Sequence, residues 1–286
     1  MISAVLSESA QIRPESLIEV AAEPRPAEGG AGRGGDAADV AAFGIEDATV
    51  RFLYGSLGKN FSGDVENPAA APTSGQEAPG KGAGAARRRT MSKVTCDIAM
   101  SVDGFVAGPA QSLDTPLGEN GELLHRWMFE QAEANTAEIE AITEAGAYIM
   151  GRNMFGPVRG DWDQDWNGWW GENPPYHAPV FVLTHHSREP VTMEGGTVFN
   201  FVTGGITEAM DLARAAAGDR TVSVAGGAST VNQYLSAGLI DELRLHIAPV
   251  LLGAGERLFA GVADLGLQPV RTTGTDMVTH VTYRKP

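Results

Sequence analysis

The chain has 286 residues, of which 43% are hydrophobic and 20% are charged, a balance that excludes a wholly disordered or fibrous protein. The net charge of -15 argues against nucleic acid and anionic membranes as partners, because phosphates are repelled at long range. No apolar run is long enough for a membrane span. Cys96 is the only cysteine, which excludes an internal disulfide, and no secretory signal is recognisable, so we expect a cytoplasmic protein.

Residues 1–90 are rich in alanine, glycine and proline and contain no tryptophan, so they offer little apolar surface to offset the entropy of ordering. We predict that this segment is a disordered, low-complexity extension. An apolar island at residues 40–61 leaves open a transient helix, a hairpin or docking on the folded part. The arginines at 87–89 are interpreted as a solvated linker end rather than a nucleic-acid contact. An over-extended gene start is the alternative, since Met91 resembles a natural first residue.

Residues 91–286 are predicted to form one domain in which strands and helices alternate. Strands are predicted at residues 93–100, 147–150, 179–184, 197–202, 221–225, 241–249 and 277–284. Helices are predicted at residues 121–142, 207–217 and 228–237, with Thr207 as N-cap and Gly218 as the stop of the second. This alternation is typical of an α/β fold with a mostly parallel sheet covered on both faces. Ligands of such sheets gather at the carboxyl ends of the strands.

The first predicted strand is followed by the loop 101–108, which contains Asp103 and Gly104. An Asp-Gly pair is typical of a turn, but its place at a strand end favours a ligand loop equally well.

The strand at 147–150 is followed at once by Gly151, Arg152 and Asn153. The planar fork of an arginine suits phosphate oxygens, so this segment is a candidate phosphate contact. A solvent-facing loop arginine is the alternative.

The strand at 179–184 ends in hydroxyl and basic side chains. This group consists of Thr184, His185, His186, Ser187 and Arg188. It would suit the 2′-phosphate of NADP. We predict no metal site here, because adjacent residues on a strand point to opposite faces. The remaining histidines are interpreted as ordinary surface or strand residues: His125, His177, His246 and His280.

The strongest single feature is a glycine turn between a strand and a helix. It consists of Gly226, Gly227, Ala228, Ser229 and Thr230. Glycines allow a close approach of the backbone to a ligand, and the helix N-terminus offers free N–H groups to a pyrophosphate. A plain turn capped by the serine is the alternative. The spacing is that of neither a GxGxxG nor a P-loop motif.

The order of these features resembles the dihydrofolate reductase superfamily. The closest resemblance is to the reductase domain of the bifunctional riboflavin-biosynthesis deaminase–reductase. The stretch 238–255 also resembles that branch, and the likeness covers residues 93–285. It implies a three-layer fold with a central, mostly parallel sheet of about eight strands, and NADPH as cofactor. A single cysteine leaves no room for the zinc signature of the deaminase, so the chain resembles a stand-alone reductase domain.

The resemblance also implies roles for individual residues. Gly151, Arg152 and Asn153 would hold NADPH phosphates, with residues 226–230 at the pyrophosphate and residues 184–188 at the 2′-phosphate. Ala107 and Gly108 would lie near the nicotinamide. The candidate catalytic acids are Asp103, in the loop that the family places close to substrate, and Glu130, on the first helix.

We therefore expect an NADPH-dependent reductase acting on a small planar heterocycle of pteridine or ribosylamino-pyrimidine type, or on an aldehyde-like sugar carbon. A catalytically silent NADP- or ligand-binding protein is the second class, and a structural module recruited through residues 1–90 is the third. The tryptophan-rich loop 161–170 is interpreted either as a lid over a flat substrate or as packing on the core or a partner. A homodimer is implied by the resemblance alone.

Overall fold

The computed structural model describes residues 92–156, 160–162 and 166–286, and the predictions for residues 1–90 lie outside them. The strands are β1 (Val94–Ser101), β2 (Phe105–Ala107), β3 (Ala147–Gly151), β4 (Pro179–Leu183), β5 (Val191–Thr192), β6 (Val198–Val202), β7 (Val222–Gly226), β8 (Glu242–Ala248), β9 (Glu256–Arg257), β10 (Gln268–Gly274) and β11 (Thr279–Arg284). The α-helices are α1 (Trp127–Glu130), α2 (Thr136–Thr143), α3 (Arg152–Phe155), α4 (Gly205–Ala217) and α5 (Ala228–Ser236). Short 3-10 helices lie at Gly121–His125, Glu133–Asn135 and Glu194–Gly196.

In the described part of the chain, the main sheet has nine strands in the order β10-β11-β8-β1-β7-β3-β4-β6-β5. The six strands from β8 to β6 are parallel, and the edge pairs β8–β11, β11–β10 and β6–β5 are antiparallel. The predicted α/β fold with a mostly parallel central sheet flanked by helices is confirmed. A separate two-stranded sheet joins β2 to β9.

The central strands are buried on both faces, because different elements cover each side of the sheet. On one face, α4 and α5 pack their apolar stripes against residues of β1, β3 and β7. The other face of β3, β4 and β6 is covered by aromatic residues of the segment 166–176. The sheet therefore has two cores, a first core under α4 and α5 and a second core under the segment 166–176. Side chains alternate between them along β3, since Ile149 belongs to the first core and Tyr148 to the second.

The single helix predicted at 121–142 is wrong, because the chain there forms short helical pieces separated by bends. The Asn135 side chain donates to the Gln131 carbonyl at 2.7 Å, and Thr136 Oγ1 donates to the Ala132 carbonyl at 3.2 Å. Such local side-chain bonds compete with a continuous helix.

Two further elements differ from what the sequence predicts. The helix predicted from Thr207 begins two residues earlier, with Gly204 as N-cap, although Gly218 ends it as expected. Strand β10 was not anticipated, since all seven of its residues are exposed and no hydrophobic alternation marks it.

A buried carboxylate ties β8, β11 and the residue before β1 together at one end of the sheet. Glu242 on β8 accepts hydrogen bonds from Lys93 at 2.8 Å, Arg244 at 2.8 Å and Arg284 at 2.7 Å. Burial raises the pKa of Glu242, but the hydrogen bonds from Lys93, Arg284 and Arg244 outweigh it and lower that pKa to about 2.

We expect Glu242→Gln to destabilise the domain by roughly 1–3 kcal/mol at neutral pH, because cations partly buried around it lose their counter-charge. The depressed pKa means that this stability is present above about pH 4.5 and is lost as the pH falls toward 2. Thermal melting of both proteins over this range should show the difference shrinking in acid. Glu130→Gln, which breaks an exposed pair with Arg126, is the matched control. Equal melting temperatures at pH 7 would contradict the prediction.

Candidate functional site

A cleft of about 570 Å³ lies along the carboxyl ends of the parallel strands. Strands β7, β3, β4 and β6 are neighbours in the sheet, so the segments that follow them meet at one edge. Residues after all four of these strands line the cleft. At its other end, the cleft reaches side chains of β1, β8 and α1.

The turn between β7 and α5 forms part of the cleft wall. Gly226 has φ +139, a backbone conformation that side chains disfavour. Gly227 is the N-cap of α5 and has an ordinary φ of −71, and a Cβ added there would meet open space. The N–H groups of Ala228, Ser229 and Thr230 precede the first intrahelical bond, which joins the N–H of Val231 to the Gly227 carbonyl at 3.0 Å.

The segment after β3 lies directly against this turn. A Cβ on Gly151 would collide with the Thr230 hydroxyl, so only glycine permits the approach of β3 to α5. Arg152 and Asn153 follow in α3 and line the cleft. The Arg152 guanidinium stacks over the Trp162 ring at 3.6 Å and donates to the Gly160 carbonyl.

The segment after β4 divides between the cleft and the neighbouring loop. Thr184, His185 and His186 line the cleft. Thr184 Oγ1 accepts from the His186 N–H at 3.1 Å, and His186 Nδ1 lies 2.7 Å from Asp161 Oδ1.

Ser187 and Arg188 are not among the cleft-lining residues of the described chain. The Arg188 guanidinium instead donates to the Trp166 carbonyl, and to Asn167 Oδ1 at 3.0 Å. Its centre lies 5.0 Å from the Trp162 ring.

The described part of the tryptophan-rich loop packs on the second core. Trp162 and Trp166 donate to the carbonyls of His186 and Phe155 at 2.9 and 2.8 Å, while Trp170 stacks on Phe199. Trp170 and its neighbour Trp169 also line the cleft. The loop therefore forms both a layer of the core and an aromatic wall of the cleft.

Ala107 lines the cleft at the end of β2. Gly108 follows Ala107, and both residues lie close to Gly255. A Cβ on Gly255 would collide with the backbones of Ala107 and Gly108.

Asp103 is not among the cleft-lining residues of the described chain. Its carboxylate accepts the N–H groups of Leu252 at 3.1 Å and Gly253 at 2.7 Å. A hydrogen bond from the Ser101 side chain, together with those from the Gly253 and Leu252 amides, lowers the pKa of Asp103 to about 2. A carboxylate so stabilised is a poor proton donor at neutral pH.

Glu130 is also placed outside the cleft lining of the described residues. It is exposed on α1 and forms a two-point ion pair with Arg126. The structure therefore brings neither Asp103 nor Glu130 into the cleft wall.

The structure reveals a cluster of titratable side chains at the β1–β8 end of the cleft that the sequence analysis did not single out as a site. The cluster consists of Asp97, His125 and His246. Asp97 Oδ1 lies 3.3 Å from Arg244 Nη1 and 3.7 Å from His246 Nε2. His246 Nδ1 lies 2.7 Å from His280 Nδ1. The Trp127 ring packs on both imidazoles, with centroids 5.2 and 4.9 Å away.

His246 and His280 lie in β8 and β11, as expected of strand residues, but both are buried and lie within hydrogen-bond distance of each other. Alternation along β8 places Glu242, Arg244 and His246 on one face, and this pattern was visible in the sequence. Their pairing with Asp97 and His280 depends on the neighbours of β8, which the sequence does not state.

Residues 92–279 match the family of RibD C-terminal domains. The chain belongs to this family. The resemblance of the sequence to the riboflavin branch of the reductase superfamily is thereby confirmed. Among the described helices of this RibD C-terminal domain, none is both long and apolar enough to cross a membrane.

Individual relatives of this RibD C-terminal domain are distant. The uncharacterized protein YyaP of Bacillus subtilis (strain 168) is 24% identical over 203 residues, which cover 67% of this chain and 94% of YyaP. A putative riboflavin biosynthesis protein from Shewanella sp. PV-4 is similar in structure, with a TM-score of 0.49 and 24% identity over 68% of this chain and 99% of that one. A dihydrofolate reductase from Enterococcus faecalis has a TM-score of 0.41 and 14% identity, over 67% and 95% of the two chains.

Acid should destabilise the domain through its buried histidines. Burial lowers the pKa values of His125 and His280 to about 4. A base with a depressed pKa contributes stability that is present above its ordinary pKa of 6.5 and is lost as the pH falls toward 4.

His280→Asn retains an acceptor for His246 but removes a titrating ring. We expect a lower melting temperature at pH 7 and a shallower decline of that temperature between pH 6.5 and 4. His177→Asn, at an exposed histidine, should leave the slope unchanged. Parallel curves for His280→Asn and the unmodified protein would refute the argument.

Proposed function

We propose that the protein is an NADPH-dependent reductase that transfers hydride to a small planar heterocycle. The observation that carries this proposal is the convergence in one cleft of residues 151–153, 184–186 and 226–230. These segments follow three neighbouring parallel strands, β3, β4 and β7. Membership in a family of RibD C-terminal domains supports a reductase.

The residues present fit a dinucleotide. Gly227 and Gly205 line the cleft, and a Cβ at either would extend into open space, so the bare backbone leaves room for phosphates. The first N–H groups of α5 provide donors and a partial positive charge. The hydroxyls of Ser229 and Thr230 add short-range donors that a net-negative chain needs in order to bind an anion, whereas the Thr184 hydroxyl donates to the His186 carbonyl at 3.3 Å.

In this assignment, residues 227–230 hold the pyrophosphate and Arg152 with Asn153 lies beside it. His185 and His186, which line the cleft, would meet a 2′-phosphate, while Arg188 donates to the adjoining aromatic loop. Bound NADPH supplies the hydride. Ala107, Trp169 and Trp170 line the cleft and contribute apolar surface to its wall.

A catalytically silent binding protein is the second candidate function, because both sequence-predicted acids lie outside the cleft lining. Tight NADPH binding without oxidation by any pteridine, pyrimidine or aldehyde would favour it. The homodimer and the cytoplasmic location stay predictions.

Calorimetric titration of the full chain with NADPH tests the proposal. Gly227→Val places a branched side chain in the open space before α5 and should weaken NADPH binding by about tenfold or more. Gly227→Ala should have a smaller effect, and both variants should melt close to the unmodified protein, since the backbone there has an ordinary φ. Unchanged affinity in Gly227→Val, or no binding by the unmodified chain, would reject the proposed function.

The preference for NADPH over NADH tests the assignment of the 2′-phosphate. We expect the double variant His185→Asn with His186→Asn to lose about tenfold in NADPH affinity while NADH affinity stays constant. Arg188→Ala is the comparison, because its guanidinium is engaged by the loop at 166–167. If Arg188→Ala alone abolished the preference, Arg188 would be the residue that binds the 2′-phosphate and the histidine assignment would be wrong.

A further inference from the structure

The β1–β8 end of the cleft contains a buried imidazole nitrogen that has no hydrogen-bond partner among the described residues. His246 is 2% exposed, and its Nε2 atom is unpaired although His246 lines the cleft. A buried polar atom left unpaired is costly, so a native site that contains one is expected to have a ligand for it. The protonation of this nitrogen can be worked out from its neighbours.

The first step concerns His280. Asn135 Nδ2 donates to the Gln131 carbonyl at 2.7 Å, which orients the amide so that Oδ1 faces His280 Nε2 at 2.9 Å. Since Oδ1 can only accept, His280 Nε2 carries a hydrogen. Burial lowers the pKa of His280 to about 4, so at neutral pH its other nitrogen, Nδ1, carries none.

The second step concerns His246. Its Nδ1 lies 2.7 Å from His280 Nδ1, and one of the two atoms must donate. Because His280 Nδ1 has no hydrogen, His246 Nδ1 supplies it. In the neutral ring, Nε2 is then left with a lone pair.

Next to this lone pair lies a second acceptor. Asp97 Oδ1 is 3.7 Å from His246 Nε2, and the Asp97 side chain is 3% exposed. The Asp97 oxygens lie 3.3 Å from Arg244 Nη1, which leaves lone pairs to spare on a carboxylate. When the His246 ring is neutral, two acceptors thus lie side by side with no donor from the described residues between them, and the Trp127 ring packs on the His246 imidazole.

Such a pair repels phosphate and carboxylate groups and requires a donor. The cleft-lining cation Arg152 and the candidate phosphate segments belong to the β3–β4–β7 end of the cleft. We propose that Asp97 and His246 Nε2 form a specificity site for the N–H or amino edge of an uncharged or cationic planar substrate, and that no phosphorylated substituent binds there. This inference rests on the proposed function for its identification of the ligand as the substrate.

A matched pair of fused-ring probes tests the site without the natural substrate. 2-Aminobenzimidazole presents adjacent N–H and amino donors, whereas 1,2-dimethylbenzimidazole has nearly the same shape and none. We expect the full chain to bind the first at least about tenfold more tightly in calorimetric titration. Equal binding of both probes, or binding of neither, would overturn the inference.

Two variants locate the effect. Asp97→Asn exchanges one acceptor oxygen for a donor, and His246→Asn keeps a donor toward His280 while removing the Nε2 acceptor. Each should reduce the discrimination between the probes to less than about threefold, by loss of one hydrogen bond to the donor edge. Glu130→Gln, outside the cleft, should leave it intact. Full discrimination in both variants would place the probe elsewhere and refute the assignment.

The NADPH titration is run on the same proteins. If the probes are discriminated but NADPH does not bind, the acceptor site stands and the proposed reductase function fails. If NADPH binds and the probes are not discriminated, the proposed function stands and the acceptor site is wrong. Should a variant unfold, the probe comparison on the unmodified chain still decides the question.

Discussion

The close approach of β3 to the first turn of α5 is the contact on which the cleft depends. Gly151 has no side chain, and any Cβ there would occupy the position of the Thr230 hydroxyl. The approach brings the end of β3 against the N-terminus of α5, so the free amides of the helix and the side chains of α3 face one space. Parallel register then extends this edge to β4 and β6, whose following residues complete the wall.

Polarity within the cleft is distributed unevenly, and this distribution is the basis of the functional assignment. At the β3–β4–β7 end there are backbone amides, hydroxyls, two histidines and Arg152, which together suit an anion. At the β1–β8 end there are the Asp97 carboxylate and His246 Nε2, which has no hydrogen-bond partner among the described residues, and we propose that this end receives a donor. A net charge of -15 makes the first group necessary, because only short-range donors can hold an anion against the long-range field.

The aromatic loop links the second core to the cleft. Trp162 lies against both Arg152 and Arg188 and edge-on to Phe155 and Phe201, so cation and ring contacts fix the two guanidiniums. In the described residues, the loop both packs on the core and lines the cleft, so the lid and core interpretations of this loop are compatible. Arg188 acts on the loop in this arrangement, which explains why its position just after β4 does not bring it into the cleft wall.

Local patterns in the sequence determined the buried strands, the glycine turn and the strand-end segments of this protein. Apolar runs predicted the buried strands, glycines predicted the turn at 226–227, and the order of strand-end segments predicted their convergence, because carboxyl ends of neighbouring parallel strands share an edge. Tertiary structure alone decided which titratable groups share the cleft. Asp97, His246 and His280 come from three strands, and strand order is set by long-range packing that no local pattern encodes. For the same reason Glu130, which has a plausible local position on α1, turned out to be an exposed ion-pair partner of Arg126.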